Sequence, residues 1–214
     1  KAGYYYFVFT QAGALIIIAA FGILFAHTSS LSFSAIHTIP ENTKLLVFIL
    51  LFFGFGSKAG IFPVHIWLPH AHPAAPSHVS AIMSGVMIKM GIYGIIRFYN
   101  LLGSDSIIFG QIVLAFGVIS GVYGVVQALG QHNLKRLLAY HSVENIGIIL
   151  IGLGIGMIGT SLKQPLLAAL GFSGALLHVF NHAIFKSLLF MGAGVVIQKS
   201  GIETIDQLGG LLKR

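Results

Sequence analysis

The chain has 214 residues, of which 56% are hydrophobic and only 8% are charged, and its mean hydropathy is +0.92. Soluble domains carry about 25% charged residues, so this composition excludes an ordinary soluble protein and predicts one that crosses a membrane several times. The net charge of +7 does not indicate nucleic-acid binding, because the basic residues are scattered among apolar runs. With no cysteine, the chain offers neither a disulfide nor a thiolate metal site.

Six apolar segments are long enough to cross a hydrocarbon core of about 30 Å, which needs about 20 helical residues. In chain order they cover residues 4–26, 45–63, 78–102, 107–130, 137–160 and 165–198. The predicted fold class is an all-α membrane protein, a polytopic bundle of about six transmembrane helices that forms a single domain over residues 1–214. The last segment is long for a straight crossing, so it is expected to tilt, break or project from the bilayer.

The second segment contains a lysine directly before a predicted helix break. Lys58 follows an uncharged apolar run, and an ionisable group near a helix centre costs roughly 2.5 to 3.5 kcal/mol. Pro63 then removes a backbone donor and disfavours helix for the residue before it. We therefore predict a discontinuous helix between Lys58 and Pro63. Residues 63–77 hold four of the six prolines, which favours a loop or a re-entrant hairpin.

Lys89 lies in the middle of the third segment, far from either predicted interface. Burial disfavours the charged form of a lysine and a nearby carboxylate favours it, so a buried lysine can take up and release protons. The alternative is that an amine extends to the membrane interface, which is common near helix ends. We interpret Lys58 and Lys89 as proton-pathway residues.

The last two apolar segments carry a second set of ionisable residues. His178, His182 and Lys186 are spaced four residues apart, so they share one helix face at steps of about 6 Å. Neutral imidazole both donates and accepts hydrogen bonds, and such a line can hand protons along with water in its gaps. His141 and Glu144 are neighbours on the fifth segment by the same helical spacing.

Glu144 is the only carboxylate in any of the six apolar segments. It is therefore the natural counter-ion within this chain for a buried lysine. The alternative is that Glu144 only faces the membrane interface, because Lys135 and Arg136 precede it in a short predicted turn.

The histidine-rich stretch from His65 to His78 does not predict a metal site. It contains no cysteine or carboxylate, and its spacing matches neither a zinc finger nor a zinc-binding helix. Gating of a proton entrance is the preferred interpretation. The chain has no phosphate-binding loop, dinucleotide fingerprint or nucleophile motif, so we predict no catalytic residue and no cofactor in it.

The distribution of basic residues predicts the orientation in the membrane. With six crossings, one side collects Lys1, Lys135, Arg136, Lys199, Lys213 and Arg214, whereas the other side has Lys44 and Lys163, with Arg97 at a helix end. The positive-inside rule then places both chain ends and the histidine-rich stretch in the cytoplasm. Because the chain starts and ends beside apolar residues without a signal peptide, it is expected to be part of a longer subunit.

Three stretches resemble a known family: KAGIFPVHIWLPHAHPAAPSHVSAIMSGVMIKMGIYGIIR (58–97), NLKRLLAYHSVENIG (133–147) and HVFNHAIFKSLLFMGAGVVI (178–197). They resemble the antiporter-like membrane subunits shared by respiratory complex I, Mrp-type cation/proton antiporters and membrane-bound nickel–iron hydrogenases. The form AYHSVENIG is most similar to the hydrogenase-4 and formate hydrogenlyase branch. The resemblance implies that the chain corresponds to the sixth to the eleventh of about fourteen helices, the central part of a subunit.

The resemblance also implies roles for the ionisable residues. Lys58 is similar to the lysine beside the break of the seventh helix, and Lys89 to the central lysine of the eighth. The residues 178, 182 and 186 are similar to the His/His/Lys run of the eleventh. By the same resemblance, the glutamate that pairs with the Lys58 position lies before Lys1. Glu144 departs from the complex I members of the family.

The predicted function is proton translocation in a subunit of a membrane-bound hydrogenase or complex I-like complex of a prokaryotic inner membrane. The proposed midplane line runs through Lys58, Lys89, Lys186, His182 and His178. Glu144 would tune its last part or connect it to the cytoplasm, and His141 beside it is also assigned to the proton pathway. Redox chemistry is expected in partner subunits, including a soluble hydrogenase arm, because this chain carries no redox site. Two alternatives stay open: a sodium/proton antiporter subunit, and a membrane anchor that transports nothing.

Overall fold

The computed structural model describes residues 1–30, 32–103 and 106–210 of the chain. Within these ranges the long helices and one short one are α1 Ala2–Thr28, α2 Glu41–Ala59, α3 Trp67–Ala74, α4 Ser77–Leu102, α5 Ile107–Leu129, α6 Leu134–Ser161 and α7 Pro165–Ser200. Two short 3₁₀ helices cover Phe33–Thr38 and Ile205–Gln207. All except the short α3 are long and apolar enough to cross a membrane, and no described residue belongs to a β-strand. The predicted all-α membrane fold with six crossings is therefore confirmed.

The second crossing is discontinuous, as predicted. Helix α2 ends at Ala59, because Gly60 adopts a left-handed conformation with a φ of 79° and donates its N–H to the carbonyl of Gly56 at 2.8 Å. The indole Nε1 of Trp67, at the start of α3, donates to the carbonyl of Ser57 at 2.8 Å. This bond ties the helix after the break to the last turn of the helix before it.

The prediction of a loop or re-entrant hairpin over residues 63–77 is only partly right. Eight of these residues form helix α3. A helix is possible there because Pro69 falls in its first turn, where backbone N–H groups have no partner within the helix anyway. Pro73 lies in the last turn, after which the chain becomes extended at Ala75.

Helix α6 begins three residues earlier than the sequence predicts. The side-chain oxygen of Asn133 accepts a hydrogen bond of 3.0 Å from the backbone N–H of Arg136, so Asn133 caps the helix. The prediction that Lys135 and Arg136 form a turn is therefore wrong, because both lie in the first turn of α6. Helix α7 is one unbroken helix of 36 residues.

Glycines bring α5, α6 and α7 into backbone contact. A Cβ on Gly147 of α6 would lie 2.4 Å from the backbone nitrogen of Gly121 in α5. A Cβ on Gly171 of α7 would lie 2.4 Å from the backbone nitrogen of Gly156 in α6. Because apolar burial does not drive association inside a bilayer, close packing of small residues is a main source of helix association there. This packing fixes α6 between α5 and α7.

Several polar segments meet at one end of the bundle. Tyr5, near the start of α1, stacks on His70 of α3 with ring centroids 4.6 Å apart. Lys135, at the start of α6, donates from its amine to the carbonyl of Ala75 at 2.9 Å. The start of α1, the histidine-rich stretch and the start of α6 therefore lie on the same side.

The end of α7 reaches the same side. Asn133 and Thr204 form an isolated antiparallel bridge, which places the chain after α7 beside the start of α6. Lys199 accordingly lies at the same end of the bundle as Lys135. Lys213 and Arg214, which contribute to the predicted basic side, lie outside the described residues.

Replacement of Gly147 by alanine is expected to lower the thermal stability of the full-length protein, because the added methyl group would push α5 and α6 apart. Overpacking of this kind costs about 1 to 3 kcal/mol. Differential scanning fluorimetry in detergent measures the loss. Gly174→Ala is the matched control, since nothing lies within 4 Å of a Cβ at this position of α7. An equal loss in both variants would contradict the packing role of Gly147.

Candidate functional site

Lys89 lies in the interior of the bundle, two residues after a π-helical segment of α4 that covers Met83–Met87. Its residue surface is 9% exposed, and its amine donates a hydrogen bond to the main-chain carbonyl of Ser84. Departures from α-helical geometry of this kind are frequent at functional sites. The bond offsets part of the cost of burying the amine, so Lys89 is held in the interior and does not extend to an interface.

Lys186 of α7 is the more deeply buried of the two lysines, with 1% of its surface exposed. Its amine donates to the carbonyl of Leu138, in α6, at 2.7 Å and lies 6.0 Å from the ring centroid of Phe190. The same carbonyl accepts a hydrogen bond of 3.0 Å from the hydroxyl of Ser142. The hydrogen bond to the uncharged carbonyl oxygen of Leu138 thus joins Lys186 to the second turn of α6.

The two histidines of α7 continue from Lys186 along the helix. The rings of His178 and His182 are nearly parallel, at 2°, with centroids 6.2 Å apart. The Nε2 atom of His178 lies 2.9 Å from the side-chain oxygen of Asn145, whose amide donates to the carbonyl of His141 at 2.6 Å. The structure therefore brings His178, His182 and Lys186 together and joins the line to α6.

Glu144 contacts His141, its neighbour on α6, through a hydrogen bond between Oε2 and Nδ1. Both side chains are partly buried, and Glu144 also lines a cavity of about 400 Å³ whose other walls are valine, isoleucine and glycine residues of α5 and α6. Within the described part of the chain Glu144 forms no ion pair with a lysine. The structure thus pairs the carboxylate directly with an imidazole, and Glu144 acts on the buried Lys186 amine only through space, without an ion pair.

Lys58 occupies a separate place. It is half-buried and lines a cavity of about 450 Å³ between α1, α2 and α4, together with Arg97. Lys89 lines a different cavity, of about 510 Å³, between α4 and α7, and Met90 and Tyr93 contribute to the walls of both. No described carboxylate forms an ion pair with Lys58. A connection from Lys58 to Lys89 stays a prediction.

The histidine-rich helix α3 also reaches the interior. His72 is fully buried and stacks on Phe190 with ring centroids 4.6 Å apart, so it shares this aromatic ring with the Lys186 amine. His65 is almost fully buried and lies against Tyr123 of α5 at a centroid distance of 4.9 Å. Across residues 1–30, 32–103 and 106–210, no three histidine, aspartate or glutamate side chains are placed to hold a metal ion.

Two serines belong to the site although the sequence did not point to them. The hydroxyl oxygens of Ser84 and Ser142 lie 2.9 Å apart, both residues are fully buried, and the contact joins α4 to α6. Serine is common in transmembrane helices, where its hydroxyl usually bonds to its own helix backbone. These two serines differ from the other serines of the chain only in that α4 and α6 bring their hydroxyl groups together, which the sequence does not reveal.

The fold and these interior side chains define a class: an all-helical membrane protein that keeps lysine amines and imidazoles inside the bundle. The chain belongs to the NADH:quinone oxidoreductase/Mrp antiporter transmembrane family, which it matches over residues 1–214. The family resemblance of the three sequence stretches is therefore confirmed.

Curated relatives of the chain include subunits of hydrogen-metabolising complexes. Hydrogenase-4 component B of Escherichia coli (strain K12) is 47% identical over 219 residues, which cover 100% of this chain and 33% of that protein. Formate hydrogenlyase subunit 3 of the same organism is 40% identical over 216 residues, which cover 100% of this chain and 36% of that protein. The chain thus spans about a third of the length of these relatives.

Solved structures of membrane complexes share the fold. The Mrp complex from Dietzia sp. DQ12-45-1b matches with a TM-score of 0.86 at 25% identity, covering 99% of this chain and 38% of that chain. A membrane-bound sulfane sulfur reductase, described as an archaeal respiratory membrane complex, matches with a TM-score of 0.84 at 35% identity, over 99% and 36% of the two chains. Relatives and structural neighbours are thus parts of multi-subunit membrane assemblies.

Ordered water is expected beside His182 and His72 in an experimental map of the full-length protein. A buried polar atom without a partner costs about 1 to 3 kcal/mol, and none of the described residues supplies a hydrogen bond to a ring nitrogen of either histidine. Cryo-electron microscopy at a resolution that shows water is the measurement. A map in which apolar side chains close around His182, with no water density at its nitrogens, would contradict a hydrated line.

Proposed function

We propose that this chain is the proton-conducting centre of an antiporter-like subunit in a membrane-bound hydrogenase or complex I-like redox complex. The observation that carries the proposal is the pairing of Lys89 and Lys186 with main-chain carbonyls, Ser84 O and Leu138 O, inside the bundle. A buried amine paired with a carboxylate would hold its proton tightly. An amine bonded to a neutral oxygen can exist in either protonation state, as a carrier must.

In this proposal Lys89 receives a proton and passes it to Lys186, from which it moves to His182 and His178. The parallel rings of the two histidines, 6.2 Å apart, leave a step that a single water can complete. The side-chain oxygen of Asn145 accepts a hydrogen bond from Nε2 of His178 and holds this imidazole in place. The other ring nitrogen, Nδ1, then remains free for the transfer. His141 and Glu144 form the last part of the line as a coupled pair.

Lys58 belongs to the same line as its first carrier. The cavities beside Lys58 and Lys89 both have Met90 and Tyr93 in their walls, so both cavities border the same stretch of α4. By the family resemblance, the counter-ion of Lys58 would be the glutamate that pairs with this position in the family and lies before Lys1. Removal of that charge by redox chemistry in the complex would release the proton from Lys58.

The proposal includes a place in a larger assembly. The relatives are named as components of hydrogenase-4 and of formate hydrogenlyase, which supports other membrane subunits and a soluble hydrogenase arm as partners. Redox cofactors would belong to those partners, and this chain would bind none. The chain would form a single domain that corresponds to the sixth to the eleventh of about fourteen helices.

The proposed location is the inner membrane of a prokaryote, with both chain ends in the cytoplasm. Lys135, Arg136 and Lys199 lie at the end of the bundle to which the start of α1 also contributes, and the opposite end carries Lys44 and Lys163. An excess of Lys and Arg on short loops marks the cytoplasmic side.

Lys89→Ala and Lys186→Ala in the whole complex are each expected to abolish proton movement while electron transfer in the soluble arm persists, because each removes one carrier from the line. The measurement is the quench of a pH-sensitive dye in proteoliposomes, with electron transfer followed in the same sample. Lys199→Ala is the matched control, since Lys199 is exposed near the end of the same helix as Lys186. It is expected to translocate protons at the parental rate.

Each other outcome has a distinct meaning for the function. Parental proton movement in both lysine variants would overturn the proposal. Flux that requires sodium would favour the sodium/proton antiporter. A parental complex that transfers electrons and moves neither ion would identify the chain as an anchor.

A further inference from the structure

The structure places a bridge of two hydroxyl groups between the two interior lysines. Ser84 of α4 and Ser142 of α6 are both fully buried, and their hydroxyl oxygens are 2.9 Å apart. A distance of this size is an ordinary O–H···O hydrogen bond, in which either oxygen can be the donor. Because the Ser142 hydroxyl donates to the carbonyl of Leu138, reversal of the bond needs both hydroxyl groups to rotate, with the Ser142 proton leaving that carbonyl, but it needs no movement of the helices.

Each serine lies beside one of the lysines. The Lys89 amine donates to the main-chain carbonyl of Ser84 itself, which holds the amine beside that residue. On the other side, the carbonyl of Leu138 accepts from the hydroxyl of Ser142 at 3.0 Å and from the amine of Lys186 at 2.7 Å. Because Ser142 and Lys186 share one acceptor, the hydroxyl and the second amine are neighbours.

Close packing of α4 against α7 fixes the bridge at this depth. A Cβ on Gly85, the residue after Ser84, would lie 2.2 Å from the hydroxyl of Ser187 and 3.2 Å from the carbonyl of Ala183 in α7. Ser84 and Gly85 both lie in the π-helical segment Met83–Met87. The irregular turn thus places the Ser84 hydroxyl against α6 while the next residue touches α7.

We propose that the Ser84–Ser142 hydroxyl pair is the proton link between Lys89 and Lys186, an inference that rests on the proposed function. The protonated Lys89 amine gives a proton to the hydroxyl oxygen of Ser84, directly or through one water. The Ser84 hydroxyl proton moves to the oxygen of Ser142. The Ser142 hydroxyl proton leaves its bond to the Leu138 carbonyl and moves to the neighbouring neutral amine of Lys186, whose nitrogen lone pair accepts it. One proton has then passed from one amine to the other, and each serine again carries one.

The carbonyl oxygens on either side cannot perform this transfer. Main-chain carbonyls only accept hydrogen bonds, so Ser84 O and Leu138 O can position the two amines but have no proton to pass on. A hydroxyl both accepts and donates, which is what a relay requires. After each transfer, rotation of the two hydroxyl groups restores the starting direction.

The test uses the full-length protein in its complex, reconstituted in proteoliposomes. The Ser84→Ala/Ser142→Ala double variant is expected to slow proton movement per electron-transfer turnover by about ten-fold or more, since general acid–base groups contribute at least that much. Ser142→Ala alone is expected to slow it less but to show a larger rate ratio between H₂O and D₂O than the parent, because proton transfer across the gap becomes limiting. A loss of packing would not raise this ratio.

Ser187→Ala is the matched control. Its hydroxyl also joins α7 to α4, donating to the carbonyls of Ala183 at 2.8 Å and Ala81 at 3.2 Å, but it lies outside the bridge. It is expected to keep the parental rate and isotope ratio. Equal slowing in Ser187→Ala and in the double variant would show a packing effect and overturn the relay.

Lys89→Ala separates failure of the relay from failure of the proposed function. Parental proton movement in the double serine variant, with none in Lys89→Ala, would overturn the relay and leave the proposed function standing. Parental proton movement in Lys89→Ala would overturn the proposed function and the relay with it.

Discussion

The rest of the structure depends on how two lysine amines are accommodated inside a membrane bundle. An unpaired charge in the interior costs several kcal/mol, so each amine needs a partner. Here the partners are carbonyls of Ser84 and Leu138, which have a second lone pair available. These hydrogen bonds form only if α4, α6 and α7 do not shift relative to one another along their axes. Backbone contact at Gly171 and Gly85 supplies that constraint, so the glycine packing and the ionisable line form one arrangement.

The helices and the break were predictable from the sequence because they follow from local rules. Long uncharged runs give the six crossings, and Pro63 shortly after Lys58 indicates the discontinuity, which the structure places at Gly60. The spacing of His178, His182 and Lys186 placed them on one face. What escaped prediction depends on how helices pack. The meeting of Ser84 with Ser142 depends on how α4 and α6 are placed against each other, which no local pattern in the chain encodes.

The discontinuous crossing serves a further purpose in this arrangement. Helix α3 carries His72 to the ring of Phe190, beside the Lys186 amine, while its Trp67 remains bonded to the turn that holds Lys58. If α2 had continued as a straight helix, His72 and Trp67 would have lain further along the axis of α2. The break therefore places one imidazole, that of His72, against the same aromatic ring as an amine from the last crossing. The cavity beside Lys58 and the cavity beside Lys89 are both lined by Met90 and Tyr93 of α4. Helix α4 therefore borders both lysine sites of the proposed line.

The central claim is that Lys89 and Lys186 exchange protons with water inside the bundle. Solid-state NMR of the full-length protein with ¹⁵N-labelled lysine in lipid bilayers measures this directly, because magnetisation passes from water only to amines that exchange or contact it. Both amines should give water-dependent signals, each lost when its own lysine is replaced by methionine. Water-dependent signals from exposed lysines such as Lys199, with none from Lys89 or Lys186, would contradict the claim.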